Sequence, residues 1–330
     1  MSALAGQTAL VTGATGFLGG ALIHRLTAEG VGVKALARRP HRDAYIKDLA
    51  KVEIVMGDIT DLDRMTELAK GCDYVFHVAA ATGGKLPLQR RVNVTGTHNV
   101  TAAAAAAQVK RLVHVSTIAV YGYQSRAVIT ENTPQQPGKV PYNISKSEAE
   151  AALRDVAEVS NLSYSIIRPG MIYGPRSGAW TAQVFKWAQR KPMFFIGDGS
   201  GTTFTIFVDD VVDMMLQLAI HPAADREAFN CVNAPPPTWR EYLGAYMQLV
   251  DNASWFALPE WLAFFVAPLA EFYFTLSGEP QDIRHLISFT LGNTRYSMAK
   301  ARQLLEWQPQ TNLENGIQRC IPYLQQKGLL

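Results

Sequence analysis

Thr12-Gly13-Ala14-Thr15-Gly16-Phe17-Leu18-Gly19 is the stretch whose reading decides the fold. Its three glycines recur at three-residue spacing, directly behind the apolar run Gln7–Thr12 and at the head of a helical pattern, Gly16–Glu29. A strand that turns through glycine into a helix aims backbone N–H groups at one point, where the helix N-terminus favours negative charge. Missing side chains let the backbone close a tight turn and approach a pyrophosphate. A lone glycine triplet also suits ordinary turns and caps. The strand–turn–helix setting at the start of a βαβ series favours a dinucleotide.

Outward from this loop, Val31–Ala37, Val52–Gly57, Tyr74–Val78 and Arg111–Ser116 read as strands, with Leu62–Lys70 and Val92–Gln108 as intervening helices. Such alternation predicts parallel strands covered on both faces, and right-handed crossovers make a doubly wound sheet the economical topology. Ala102–Ala107 reads as a helix face shaped for close packing. A long helix follows from Tyr142 to about Ser160, then a strand at Ser163–Arg168.

After Pro169 the alternation loosens. Val208–Ile220 and Trp239–Asn252 look helical, and Thr311-Asn312-Leu313-Glu314 has the pattern of a capping box opening a last helix. The expected architecture is α/β: a Rossmann-type doubly wound parallel sheet with a smaller, mostly helical C-terminal substrate lobe. Residues 1–170, continued by about 203–231, form the nucleotide-binding domain in this reading; 171–202 and 232–330 form the lobe.

Composition narrows the partners. Of 330 residues 48% are hydrophobic and 18% charged, which suits a packed globule, and a net charge of +3 gives no case for nucleic acid. The one dense basic cluster is Arg38-Arg39-Pro40-His41-Arg42. Cys72, Cys231 and Cys320 stand far apart without a CxxC pair, which suits a reducing, cytoplasmic setting and offers no metal site. Met1–Gly6 lacks a basic start, and the segment behind it is glycine-rich where a secretory core would be apolar. Trp255–Leu276 is the greasiest region, but Pro259, Glu260, Pro268 and Glu271 interrupt it, and no clean run reaches the ~18 residues of a spanning helix. It reads as two short aromatic helices that line an apolar pocket, lie on a membrane surface, or form plain core or a dimer patch.

Chemistry centres on Tyr142-Asn143-Ile144-Ser145-Lys146, whose phenol and ammonium lie four residues apart and share one face of a helix. A free tyrosine titrates near 10. A neighbouring ammonium and a cationic nicotinamide would favour the phenolate and ease proton exchange. The pair alone is frequent by chance; here it follows the glycine loop, with the hydroxyls Ser116-Thr117 closing a strand between them. Past the second strand, Arg38 stands where NAD readers carry an acid for the ribose hydroxyl, so NADP(H) is favoured and NAD(H) remains open. Asp58 suits the adenine amine or a helix cap. Asn93 and His77 read as structural, and His24 and His114 as core or surface residues without a partner pattern.

The glycine loop, His77-Val78-Ala79-Ala80, Asn93-Val94-Thr95-Gly96-Thr97, Ser116-Thr117 before Val120-Tyr121-Gly122, Tyr142/Lys146 and Arg168-Pro169-Gly170-Met171-Ile172-Tyr173-Gly174-Pro175 together resemble the extended short-chain dehydrogenase/reductases, from about residue 6 to residue 320. The resemblance implies that Thr117 holds the substrate oxygen, standing where most of the family has serine, with Tyr142 as acid/base and Lys146 on the nicotinamide ribose. It implies cofactor contacts at Gly13, Thr15, Gly16, Phe17 and Leu18 on the pyrophosphate side. Arg38, Asp58 and Ile59 would lie on the adenosine side, and Ala79, Ala80, Pro169 and Ile172 along the rest. A homodimer through the helices near Asn99 and Glu148 is implied too.

Nucleotide-sugar members carry an arginine where Thr203 stands, and dehydratases an acid pair where Ile118-Ala119 stand. The expectation is therefore an NAD(P)H-dependent ketone/secondary-alcohol oxidoreductase of the 3β-hydroxysteroid dehydrogenase-like branch, acting on a fairly apolar small molecule. The alternatives are a nucleotide-sugar epimerase or dehydratase that retains its NAD, and a non-catalytic nucleotide sensor.

Overall fold

The computed structural model describes residues 3–39, 45–122, 124, 128–277 and 281–330. The chain runs β1 (Thr8–Thr12), α1 (Phe17–Ala28), β2 (Gly32–Ala37), β3 (Val52–Met56), α2 (Leu62–Ala69), β4 (Tyr74–His77) and α3 (Leu86–Gln89). A wide π-helical turn, Arg90–Thr95, leads into α4 (Gly96–Ala106), followed by β5 (Arg111–Val115), β6 (Val128–Ile129), α5 (Pro141–Ser160), β7 (Tyr164–Pro169) and β8 (Met171–Tyr173). Then come α6 (Gln183–Ala188), β9 (Met193–Ile196), β10 (Thr205–Phe207), α7 (Val208–Ile220), β11 (Glu227–Cys231) and α8 (Trp239–Gln248). The chain closes with β12 (Trp255–Leu258), α9 (Glu260–Leu276), α10 (Ile283–Leu291), β13 (Arg295–Tyr296), α11 (Ala299–Leu305), α12 (Leu313–Gln318) and α13 (Ile321–Gln326).

Seven strands form one parallel sheet in the order β11-β7-β5-β4-β1-β2-β3. Side-chain alternation feeds two cores. Ala9, Val11, Phe76, Val113 and Ile167 pack toward one face with Leu22 and Ile23 of α1 and Met214 of α7. Leu10, Val75, Leu112 and Ile166 pack toward the other with Met65 of α2, Ala103 and Ala104 of α4 and Leu153 of α5. The alanine run does serve close packing, since both these alanines are wholly buried. Strand order reverses between β1 and β4, so a crevice opens at their carboxyl ends, where Thr12 pairs with His77.

Several local expectations are corrected. Val92–Gln108 is not one uniform helix: its start is the π-helical turn, and regular helix begins at Gly96, where a Cβ would stand 2.5 Å from the Ile59 side chain. Trp255–Leu276 is not two short helices but the strand β12, paired with β9, and the single 17-residue helix α9. Pro268 removes one helical donor inside α9 without ending it. The helix α12 is capped by Asn312, whose side chain accepts from Asn315 N, and not by a Thr311–Glu314 box. A true capping box stands at Thr238 and Glu241 instead. Among the described residues no helix is long and apolar enough to cross a membrane.

Candidate active site

Backbone geometry builds the phosphate loop. Gly13 has φ +69°, and a Cβ there would lie 2.7 Å from Ala79 N. Gly16 N donates to Gly13 O at 3.0 Å, and a Cβ on Gly19 would collide with that same carbonyl. Gly16 caps α1 with no side-chain hydrogen bond, and the first turn holds no acid, so no capping side chain takes the N–H groups at this helix start. Behind the loop the Thr12 hydroxyl accepts from Val78 N and Ala79 N, both at 3.2 Å, and meets His77 Nδ1 at 2.7 Å. Thr12 therefore fixes the spacing between the glycine turn and the loop carrying Ala79 and Ala80. A dinucleotide fits this cradle, because the missing Cβ of Gly13 lies where the two loops come closest and those of Gly16 and Gly19 lie against the turn's own Gly13 carbonyl.

Toward the adenosine side, Arg38 and Arg39 are exposed just past β2. The remainder of that cluster, with His41, Arg42 and Asp43, falls outside the described residues. Asp58 does not cap α2: its carboxylate accepts from Thr60 N and the Thr60 hydroxyl, each at 2.9 Å, while Asp61 caps the helix. Ile59 is buried, and its carbonyl accepts from Asn99 Nδ2 at 3.1 Å. Asn99 thus faces the core, whereas Glu148 pairs with Arg90 at the surface.

The helix α5 opens with Pro141 in its first turn, so Tyr142 and Lys146 stand one turn apart near its start. Thr117 follows β5 and accepts from Ala119 N at 3.2 Å, and its hydroxyl acts on the nearby Tyr142 phenol. Burial pushes the Tyr142 phenol up to about 12, and the Thr117 hydroxyl pulls the other way. This differs from the expected acidified phenol, since the Lys146 ammonium is engaged elsewhere. Lys146 Nζ donates to Val115 O at 2.8 Å and lies 3.4 Å from His114 Nε2. Burial lowers this lysine to about 8, with Glu150 opposing the fall.

Two buried imidazoles lie beneath. Burial, then the neighbouring Lys146 charge, lowers His77 to about 3 and His114 well below its usual range, so both are neutral at physiological pH. His77 Nε2 meets the Thr97 hydroxyl at 3.0 Å, which bears out its packed, structural reading. Asn93 is structural as well: Oδ1 accepts from Ala81 N at 2.7 Å, and Nδ2 donates to Ala81 O and to the Ser145 hydroxyl, both at 2.9 Å. It ties the loop after β4 to α5.

The buried half of α5 carries what sequence reasoning missed. Glu150, with no exposed side-chain surface, accepts from Arg168 Nε at 2.8 Å and Nη2 at 2.7 Å, from Gln135 at 2.8 Å and from Arg154 at 3.1 Å. Burial alone would raise this carboxyl, yet Arg168, and after it Ser116, hold it near 2. Arg168 also donates to the Tyr121 hydroxyl, which donates to Asn230. Glu150 falls four residues after Lys146, the one signal that sets it on the same face of the helix.

Past β7, Gly170 N donates to Cys231 O at 3.0 Å, and a Cβ on Gly170 would strike the Phe204 carbonyl, so Pro169 and Ile172 pass through a narrow neck. Ile172 pairs with Ile206 in the β8–β10 ladder. Thr203 is fully buried, its hydroxyl donating to Pro237 O at 2.9 Å. A depression of about 1150 Å³ toward the C-terminal part of the chain, with Pro237, Glu241, Arg295 and Asn312 in its lining, contains none of the cradle or tyrosine–lysine residues.

A doubly wound sheet with a glycine cradle at its switch point, facing a tyrosine–lysine helix, defines a nicotinamide-dinucleotide enzyme of the short-chain dehydrogenase type. The model of the NAD dependent epimerase/dehydratase family matches residues 9–231, and the chain belongs to that family, the extended short-chain dehydrogenase/reductases. It is 32% identical to a UDP-glucose 4-epimerase of Mycolicibacterium smegmatis, over 97% of this chain and 99% of that protein. It is 28% identical to a 2-alkyl-3-oxoalkanoate reductase of Stenotrophomonas maltophilia, over 94% and 97%. A 3beta-hydroxysteroid-dehydrogenase/decarboxylase of Arabidopsis thaliana is 27% identical, over 87% and 71%. The crystal structure of gox2253 shares the fold, with a TM-score of 0.83 and 24% identity over 98% of this chain and 99% of that one.

Proposed function

We propose that the protein is an NADP(H)-dependent oxidoreductase that interconverts a ketone and a secondary alcohol on an apolar small molecule. The observation that carries this reading is the Tyr142–Lys146 pair one turn apart at the start of α5, its ammonium buried against Val115 O at the open end of β5, with the Thr117 hydroxyl just beyond that strand. The bound dinucleotide supplies or accepts a hydride at the substrate carbon. Gly13, Thr15, Gly16, Phe17 and Leu18 would hold its pyrophosphate through backbone N–H groups, and Arg38 would take the 2′-phosphate.

In the reducing direction Thr117 and Tyr142 both address the carbonyl oxygen, a preorganised pair of hydroxyls where negative charge develops. Tyr142, at about 12, is fully protonated at neutral pH and gives its proton to that oxygen. Lys146, at about 8, is charged there and would hold the nicotinamide ribose beside Tyr142, while solvent returns the proton to the phenolate. Support for an apolar substrate comes from Thr203, a small buried residue at the position where nucleotide-sugar members carry a diphosphate-gripping arginine, and from the similarity to a reductase of alkyl-substituted oxoalkanoates.

The Mycolicibacterium relative favours a second reading, a nucleotide-sugar epimerase. One experiment separates them: turnover with NADPH or NADH across steroid, aryl-ketone, β-keto acid and nucleotide-sugar panels. NADPH-dependent reduction of an apolar ketone is expected. Protein that purifies with retained NAD, inverts a UDP-sugar and ignores free NADPH would overturn the proposal.

A further inference from the structure

The helix α9 is built inside out. Its inward residues are small, Ala263 and Ala267 packing on Ile287 of α10, whereas Trp261, Phe265, Leu269, Phe272, Tyr273 and Leu276 point outward at 64–73% exposure. Taking roughly 150–250 Å² per aromatic side chain, these six expose roughly 800 Å² of mainly apolar surface, beyond the 300–600 Å² patch of an ordinary monomer. Water alone would not select such a face.

Charge is absent from it. The helix has only two ionisable carboxylates, at Glu260 and Glu271. Glu260 turns toward Gly197, its carboxylate 3.2 Å from where a Cβ on that glycine would stand. Glu271 accepts from Arg284 N at 3.0 Å and from its guanidinium at 2.9 Å, with only 17% of the side chain exposed. Glu271 is thereby drawn off the outer surface, and Glu260, though exposed, stands at the very start of the helix beside Gly197 and outside the outward arc.

The width of that surface identifies its occupant. At 100° per residue, the exposed positions from Phe264 through Trp261 to Val266 and Tyr273 span an arc of roughly 200°. A partner helix covers a stripe of roughly 100° and would leave Phe264 or Tyr273 in water. A helix half-sunk in a bilayer covers all of it, with the amphipathic rings of Trp261 and Tyr273 suited to the headgroup level. Exposed Phe194 and Phe256, stacked at 6.1 Å on the β9–β12 pair that leads into α9, carry apolar surface beyond the helix.

We infer that α9 is a membrane-docking element that lies flat in the interfacial layer of a lipid bilayer. The inference goes beyond the oxidoreductase reading and does not depend on it. The test uses the full chain in flotation with phosphatidylcholine vesicles, alone and with phosphatidylglycerol added. The protein should float with both, in high salt as well as low, and Trp261→Glu with Phe265→Glu should weaken partition about tenfold or more. Trp261→Phe should retain it. Since these side chains point outward, the variants should melt like the parent, which separates lost docking from lost folding. Parent protein that stays in the lipid-free fraction overturns the inference. So does a salt-resistant dimer, in place of vesicle binding, that Phe265→Glu dissociates.

Discussion

Replacing Glu150 with glutamine tests how the protein keeps charges inside α5. In the parent, a carboxyl held near 2 rather than its ordinary 4.5 corresponds to about 3 kcal/mol of stabilisation at neutral pH. In Glu150→Gln the Arg168 guanidinium, 4% exposed, loses its counter-charge, and breaking a buried pair from one side costs about 3–5 kcal/mol. Because the folded-state value is depressed, the contribution is complete above about 4.5 and disappears as pH falls through 2. Urea titrations at several pH values should show the variant about 3–5 kcal/mol less stable at pH 7. The gap should narrow steadily below pH 4.5. Glu150 also raises Lys146, so the alkaline limb of turnover in the surviving variant should move to lower pH. A gap below about 1 kcal/mol, or one unchanged from pH 7 to pH 3, would refute this account of the buried charges.

Other substitutions address the cradle and the chemistry. Tyr142→Phe should lower turnover by about 10²–10⁴ while nucleotide binding, followed by fluorescence titration, stays near the parent value; near-parent turnover would end the proton-donor assignment. Gly13→Ala forces a methyl into φ +69° against Ala79 N, so NADPH affinity should fall about tenfold or more, and an unchanged Kd would show that the cradle does not hold the pyrophosphate. Arg38→Ala should raise KM for NADPH about 10–100-fold and leave KM for NADH nearly unchanged; equal effects on both would remove Arg38 from 2′-phosphate recognition.

The inner strands β1, β4, β5 and β7 are readable because they are buried on both faces, leaving unbroken runs such as Ala9-Leu10-Val11 and Tyr74-Val75-Phe76. The glycine turn and the Tyr142–Lys146 spacing are equally plain, since one is a backbone requirement and the other a single helical turn. The pair β9–β12 is not, because Trp255–Leu258 becomes a strand only by pairing with Met193–Ile196 more than fifty residues away. Composition suggests that Pro268 should break α9, yet tertiary support on α10 carries the helix through it. Glu150 and His114 are invisible for another reason. A glutamate in a helix usually faces water, and nothing local to it announces that Arg168, on a different strand, waits in the core. His114 acquires its neighbour only when β5 is laid against α5.

The wide turn at Arg90–Thr95 makes a mechanical linkage out of a local irregularity. An extra residue per turn rotates the downstream helix by about 100°, and with that offset Asn93 grips Ala81 on one side and Ser145 on the other. The rim of the nucleotide crevice and the helix bearing the proton donor are thereby coupled through one carboxamide. Shortening this turn by one residue would produce a more regular helix and a looser enzyme.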